Sequence, residues 1–142
     1  MRLLPLLLVL VILTGCYIPR NGLYENKDGI RYYENDVYLT GWINVDGSER
    51  YFSKVDGYML TNSKTIDGVW WGIDKDGKKA NGFLQDEDGV RYYEDGVYSV
   101  GWVTIDGREY YFKKESGLMA TGKINIGGKE YTFSPDGVLT DQ

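Results

Sequence analysis

Tryptophan and tyrosine are the side chains of this 142-residue sequence with most to offer a ligand, and they recur at regular positions. Trp42 and Trp102 each follow a glycine, and Tyr51 and Tyr111 each stand directly before a phenylalanine. Their flat π-faces with a polar handle suit stacking on sugar rings and cation–π attraction to quaternary ammonium groups. Alternation along an extended strand puts Tyr110 and Phe112 on one face and Tyr111 on the other. Tyr131 and Phe133 repeat the first pair around Thr132, so that pair reads as core. Trp42, Tyr51, Trp102 and Tyr111 are then candidate exposed stacking surfaces, with Trp70 next. The opposite reading, in which all of these rings fill a core, stays open because tyrosine also suits a pleated, half-buried surface.

Other chemistry is poorly supplied. The chain has no histidine, which removes the commonest general base and metal ligand. Asp74-Lys75-Asp76-Gly77 and Asp86-Glu87-Asp88-Gly89 resemble calcium loops superficially. An EF-hand loop needs a longer ligand series ending in a bidentate glutamate between two helices, so turns explain these residues better. Paired carboxylates could serve glycoside hydrolysis, but every acidic cluster falls at a turn. The expectation is a non-enzymatic protein without cofactor or metal. A formal net charge of −5, spread without runs, argues against nucleic acid and anionic lipid surfaces.

The elements that must position the aromatics are repeats of about 20 residues. Units begin near Gly22, Gly41, Asn62, Gly82, Gly101 and Gly122. Asp28 to Glu34 returns as Asp88 to Glu94, Trp42 as Trp102, Tyr51-Phe52 as Tyr111-Phe112 and Met59 as Met119, always 60 residues on. A three-unit block has therefore been duplicated. Within a unit, apolar and polar residues alternate through Trp102-Val103-Thr104-Ile105, Asp106-Gly107 makes a turn, and Glu109 to Phe112 returns. Asp-Gly between alternating strands predicts a hairpin, because both residues tolerate the positive φ of a type I′ turn. Asp46-Gly47, Asp67-Gly68 and Gly127-Gly128 fill the same slot, and Gly57, Gly77, Gly117 and Gly137 mark the connectors. One hairpin is marginal alone, so the hairpins must stack on a shared core. The predicted class is all-β, a β-solenoid of stacked β-hairpins with about six repeats.

Ahead of the repeats, Arg2 and an apolar run from Leu3 to Leu13 have the length of a signal-peptide core, too short for the roughly 20 apolar residues of a membrane span. The run ends in Leu13-Thr14-Gly15-Cys16, which holds the only cysteine and resembles a bacterial lipobox. That resemblance implies a lipoprotein signal peptide over residues 1–15, a diacylglycerol on Cys16, a lipidated spacer over 16–20 and the repeat domain over 21–142. Two acyl chains make a durable anchor. The mature protein would sit on the outer face of a membrane.

The Gly-Trp, Asp-Gly, Tyr-Tyr-Phe and Gly-x-Met-x-Thr-Gly order of residues 101–122 resembles the cell-wall-binding repeats of Gram-positive surface proteins. That superfamily includes choline-binding repeats, glucan-binding repeats of glucosyltransferases and repeats of clostridial toxins, and the resemblance covers Asn21 to Leu139. It implies three hairpins per solenoid turn, so that positions 60 residues apart share a face. In choline-binding members the ligand sits in an aromatic cage that uses the Gly-Trp tryptophan and two aromatics of a Trp-Tyr-Tyr strand. Here the first aromatic of that strand is replaced by Arg31, Glu49, Arg91, Glu109 and Glu130, and Trp70 retains it. The resemblance thus implies cell-wall or surface polysaccharide as partner, bound through Trp42, Tyr51, Trp70, Trp102 and Tyr111. Choline on teichoic acid is the alternative, and a structural spacer or protein-contact solenoid is the other. Oligomeric state is not readable from the sequence.

Overall fold

Where β-branched and aromatic residues alternate with polar ones around a turn pair, the chain folds back on itself. The computed structural model describes residues 17–141, so the expected signal peptide over residues 1–15 and the expected lipidation at Cys16 lie outside the described residues. Every regular element among the described residues is a strand. The first block holds β1 (Gly22–Asn26), β2 (Gly29–Glu34), β3 (Val37–Tyr38), β4 (Gly41–Val45), β5 (Ser48–Phe52), β6 (Lys64–Ile66) and β7 (Val69–Trp71). The second holds β8 (Gly82–Gln85), β9 (Val90–Glu94), β10 (Val97–Tyr98), β11 (Gly101–Ile105), β12 (Arg108–Phe112), β13 (Gly122–Ile126), β14 (Lys129–Phe133) and β15 (Leu139–Asp141). They form six small antiparallel sheets, one for each repeat expected from the sequence. The third hairpin starts at Lys64 rather than Asn62; the other five start at the expected glycines.

The turns follow the chemistry of their residues. Asp46-Gly47, Asp67-Gly68, Asp106-Gly107 and Gly127-Gly128 all have two positive φ angles, as a type I′ turn requires. β1–β2 and β8–β9 turn differently. Asn26 Oδ1 accepts the backbone N–H groups of Asp28 (2.8 Å) and Gly29 (3.2 Å), and Asp86 Oδ1 accepts those of Asp88 (2.9 Å) and Gly89 (3.2 Å). Asp74 Oδ1 does the same for Asp76 and Lys78, each at 2.9 Å. Both Asp-rich stretches are thus Asx-type turns. A feature not expected from the sequence is the short third strand in three sheets: β3, β10 and β15 extend the return strands of the first, fourth and sixth units.

The core is laid down by the residue paired with each leading glycine. Gly22, Gly41, Gly82, Gly101 and Gly122 face Tyr33, Phe52, Tyr93, Phe112 and Phe133 across their hairpins, and all five rings are buried. Neighbouring units are joined through their connectors. The Met59 N–H donates to Ile30 O and the Met119 N–H to Val90 O, both at 2.8 Å, so the join is duplicated along with the sequence. Arginines add a second join: Arg31 Nε donates to Asp56 O (2.9 Å), Arg50 Nε to Asp76 O (3.2 Å) and Arg91 Nε to Ser116 O (2.8 Å).

The strand register corrects one alignment. Counted from the residue facing the leading glycine, Glu49, Glu109 and Glu130 share their position with Ile30 and Val90, not with Arg31 and Arg91. Counted from the turn pair of its own hairpin, Trp70 shares it too. Arg31 and Arg91 occupy the next position, that of Arg50, Tyr110 and Tyr131. The Asp-Gly pair stands one position later in the first and fourth units than in the second and fifth, which hides this shift in the sequence.

Candidate functional site

Pairing across β4–β5 sets Trp42 opposite Tyr51, and pairing across β11–β12 sets Trp102 opposite Tyr111. Cross-strand neighbours lie close enough for rings to touch. The Trp42–Tyr51 centroids are 5.2 Å apart at 69°, and the Trp102–Tyr111 centroids 5.2 Å apart at 64°. Each tryptophan meets a further ring from the next hairpin. Trp42 meets Trp71 at 5.0 Å and 62°, and Trp102 meets Tyr131 at 5.0 Å and 67°. Two triads of nearly the same geometry therefore stand at hairpin junctions 60 residues apart. A third, not anticipated from the sequence, brings Phe83 to Tyr92 (5.0 Å) and to Tyr110 (5.3 Å).

The expected site residues divide unequally. Trp102 is 43% exposed, and Tyr111 and Tyr131 are half-buried. Tyr51 is only 6% exposed, which corrects its expected role as an open stacking face. It belongs to a cluster with Ile66 and Ile73, against which Trp42, Leu60 and Trp71 also pack. The counterpart of Leu60 in the second block is the smaller Ala120, and the equivalent tyrosine is less covered there. Tyr131, expected as core beside Phe133, instead forms the far wall of the Trp102 triad. Trp70 stands apart from every triad. Its Nε1–H donates to the Tyr93 hydroxyl at 3.2 Å, and the Arg91 guanidinium lies 5.6 Å from its ring.

The missed walls, Trp71, Tyr110 and Tyr131, share one position of the return strand. That position becomes visible only when the hairpins are aligned by cross-strand register. Exposed Phe83 was missed because the residue after its glycine is phenylalanine rather than tryptophan.

Around the second triad lies an open cleft of about 630 Å3. Trp102, Tyr111 and Ile124 supply its apolar side, and Lys113, Lys114, Glu115 and Asn125 its polar rim. A smaller cleft of about 460 Å3 borders Phe83 and Tyr110. The first triad has a different setting. The Lys79 ammonium stands 5.1 Å from the Trp42 ring and 5.0 Å from the Trp71 ring, hydrogen-bonded to Glu49. That bond to Glu49, with the nearby Asp95 carboxylate, holds the Lys79 pKa above the ordinary lysine value despite the opposing effect of burial.

Residues 99–139, which contain the whole Trp102 triad, match the choline-binding repeat family. The repeats belong to the cell-wall-binding repeat family. Among curated relatives of these cell-wall-binding repeats, Glucosyltransferase-S of Streptococcus mutans is 32% identical over 111 residues, spanning 67% of this chain and 7% of that protein. Toxin A of Clostridium novyi is 26% identical over 109 residues, 67% of this chain and 5% of that protein. Among solved structures, choline binding protein F from Streptococcus pneumoniae is 27% identical with a TM-score of 0.70, covering 85% of this chain and 42% of that one. A second pneumococcal structure, CbpJ, shares the fold at 23% identity and a TM-score of 0.72, covering 85% of this chain and 46% of that one. The chain thus spans a small fraction of its curated relatives and under half of these solved chains.

Proposed function

We infer that this chain is a binding module for cell-wall or surface polysaccharide, held through shallow aromatic clefts between hairpins. The observation that carries this reading is the Trp102–Tyr111–Tyr131 triad, an exposed indole beside two half-buried rings, of which Trp102 and Tyr111 line an open cleft. A flat aromatic platform with a polar rim fits a sugar ring, whose apolar face stacks while its hydroxyls find donors and acceptors. Lys113 and Lys114 at that rim favour hydroxyl, carboxylate or phosphate groups of a polymer and disfavour a cation. The glucosyltransferase relatives support the same reading.

Choline on teichoic acid is the second reading, favoured by the family match over residues 99–139 and by the three-ring wall. A pull-down with purified cell-wall polysaccharide separates the two. Wild-type protein is expected to be retained and Trp102→Ala to be lost from the pellet. Equal retention of a Trp42→Ala/Trp102→Ala double variant would sink the polysaccharide reading. Retention on a choline-type resin with elution by free choline would replace it with the second.

The module is held at the outer face of the cell membrane by a diacylglycerol on Cys16, a proposal that rests on the lipobox-like Leu13-Thr14-Gly15-Cys16 sequence. Detergent-phase partition of the expressed protein, abolished by Cys16→Ala, is the expected result. Aqueous partition of the wild-type protein overturns the anchor.

A further inference from the structure

The duplicated triads differ in their third ring, Trp71 against Tyr131, and in one charged neighbour. Residue 79 is lysine in the first block, and its equivalent 60 residues on is Leu139. The Lys79 ammonium lies over both Trp42 and Trp71, at 5.1 and 5.0 Å, which is within the range of attraction to an aromatic face. Glu49 accepts its hydrogen bond, and Asp95 lies 3.7 Å away. The Lys79 side chain is 14% exposed, so most of it is covered by its neighbours. Its backbone is pinned as well. Lys79 bridges Ile73, and the flanking Ala80 N–H donates to Gly72 O at 2.9 Å. In the second block Lys129 is exposed and lies over Tyr131 alone, at 5.4 Å.

We propose that the Lys79 ammonium is the resident occupant of a cation site built from Trp42, Trp71 and Glu49, so that the first triad is closed by the protein's own side chain while the second is open to ligand. The site has the parts that recognise a small organic ammonium cation: two indole faces, a carboxylate and partial desolvation. Lys79 supplies that cation intramolecularly, at an effective concentration an external ligand of millimolar affinity does not match. The two blocks of the solenoid are then unequal. The first contributes a locked, charge-neutralised junction, and the second contributes recognition. Removing Lys79 uncovers a site for a free ammonium ion. The Lys79 assignment stands apart from the polysaccharide reading, on which only the recognition role of the second block rests.

The test is titration of the full-length protein with tetramethylammonium chloride against a sodium chloride control, followed by the indole N–H resonances. In Lys79→Ala and Lys79→Met, the Trp42 and Trp71 signals are expected to shift with binding at least about ten-fold tighter than in wild type, the scale of a desolvated cation–π contact. The Trp102 signal serves as the internal comparison, and Trp42→Ala added to Lys79→Ala is expected to abolish the response. Equal shifts of the Trp42 and Trp71 signals in wild type overturn the proposal, as does a folded pair of Lys79 variants with no response. Should both variants fail to fold, wild type decides the matter. The Lys79 ε-methylene protons are expected well upfield of those of the exposed lysines, and a position among the others overturns the resident-occupant assignment.

Discussion

Tyr51 and Tyr111 occupy the same place in the repeat, yet the residue scale separates them. Each pairs edge-on with a Gly-Trp tryptophan at 5.2 Å. Tyr51 is buried among Ile66 and Ile73, whereas Tyr111 borders an open cleft. Truncating a large buried ring costs lost transfer energy plus a cavity, about 3–5 kcal/mol. Tyr51→Ala is therefore expected to lower unfolding free energy in urea by about 3 kcal/mol, and Tyr111→Ala by about 1 kcal/mol. Polysaccharide retention should fall for Tyr111→Ala at temperatures where that variant remains folded. Equal stability losses for the two variants would contradict the burial difference. The first tyrosine is a packing residue, and the proposed contact with polysaccharide falls to the second.

At the scale of elements, two classes of glycine do different work. Gly107 lies in the β11–β12 turn at φ +74, and a Cβ there would meet nothing within 4 Å. Gly117 lies in the following connector at φ +68, where a Cβ would come within 2.2 Å of the Tyr98 ring. Gly107→Ala carries only the left-handed backbone penalty, about 1–2 kcal/mol. Gly117→Ala adds the overpacking of a buried junction, typically a further 1–3 kcal/mol. Urea unfolding of both variants is expected to rank Gly117→Ala as clearly the less stable. A reversed order would mean that hairpin closure, rather than the seating of one hairpin on the next, limits stability. Tyr98 belongs to β10, so the clash falls between units, where a solenoid is most sensitive.

Across the whole molecule, stability and the proposed recognition both depend on contacts between neighbours. The Trp102 cleft takes its tryptophan from β11 and Ile124, Asn125 and Ile126 from β13 of the next hairpin, whose Tyr131 backs the indole. Deleting residues 122–142 is thus expected to remove both the cover of the last core layer and polysaccharide retention. Deleting residues 17–40 should lower stability and leave retention intact, because no residue of the Trp102 cleft comes from the first hairpin. Pull-down at a temperature where both truncated forms remain folded checks this. Loss of retention in both would place recognition elsewhere in the solenoid.

The turn pairs, the alternating strands and the 60-residue duplication were legible in the sequence because they are local. A positive φ at Asp106-Gly107 or a period-2 alternation in residues 102–105 is decided within a few residues. Five of six hairpin starts and the buried Phe112 and Phe133 follow from that information alone. What a ring touches in the next unit is not local. It depends on how connectors seat each hairpin on its neighbour, and an Asp-Gly pair placed one position later in the first and fourth units shifts the apparent alignment by one position. For that reason the sequence pointed to Trp42, Tyr51, Trp102 and Tyr111 as equals. Only the tertiary structure buried Tyr51, brought Trp71 and Tyr131 to the tryptophans, and delivered the Lys79 ammonium to one triad and not to the other.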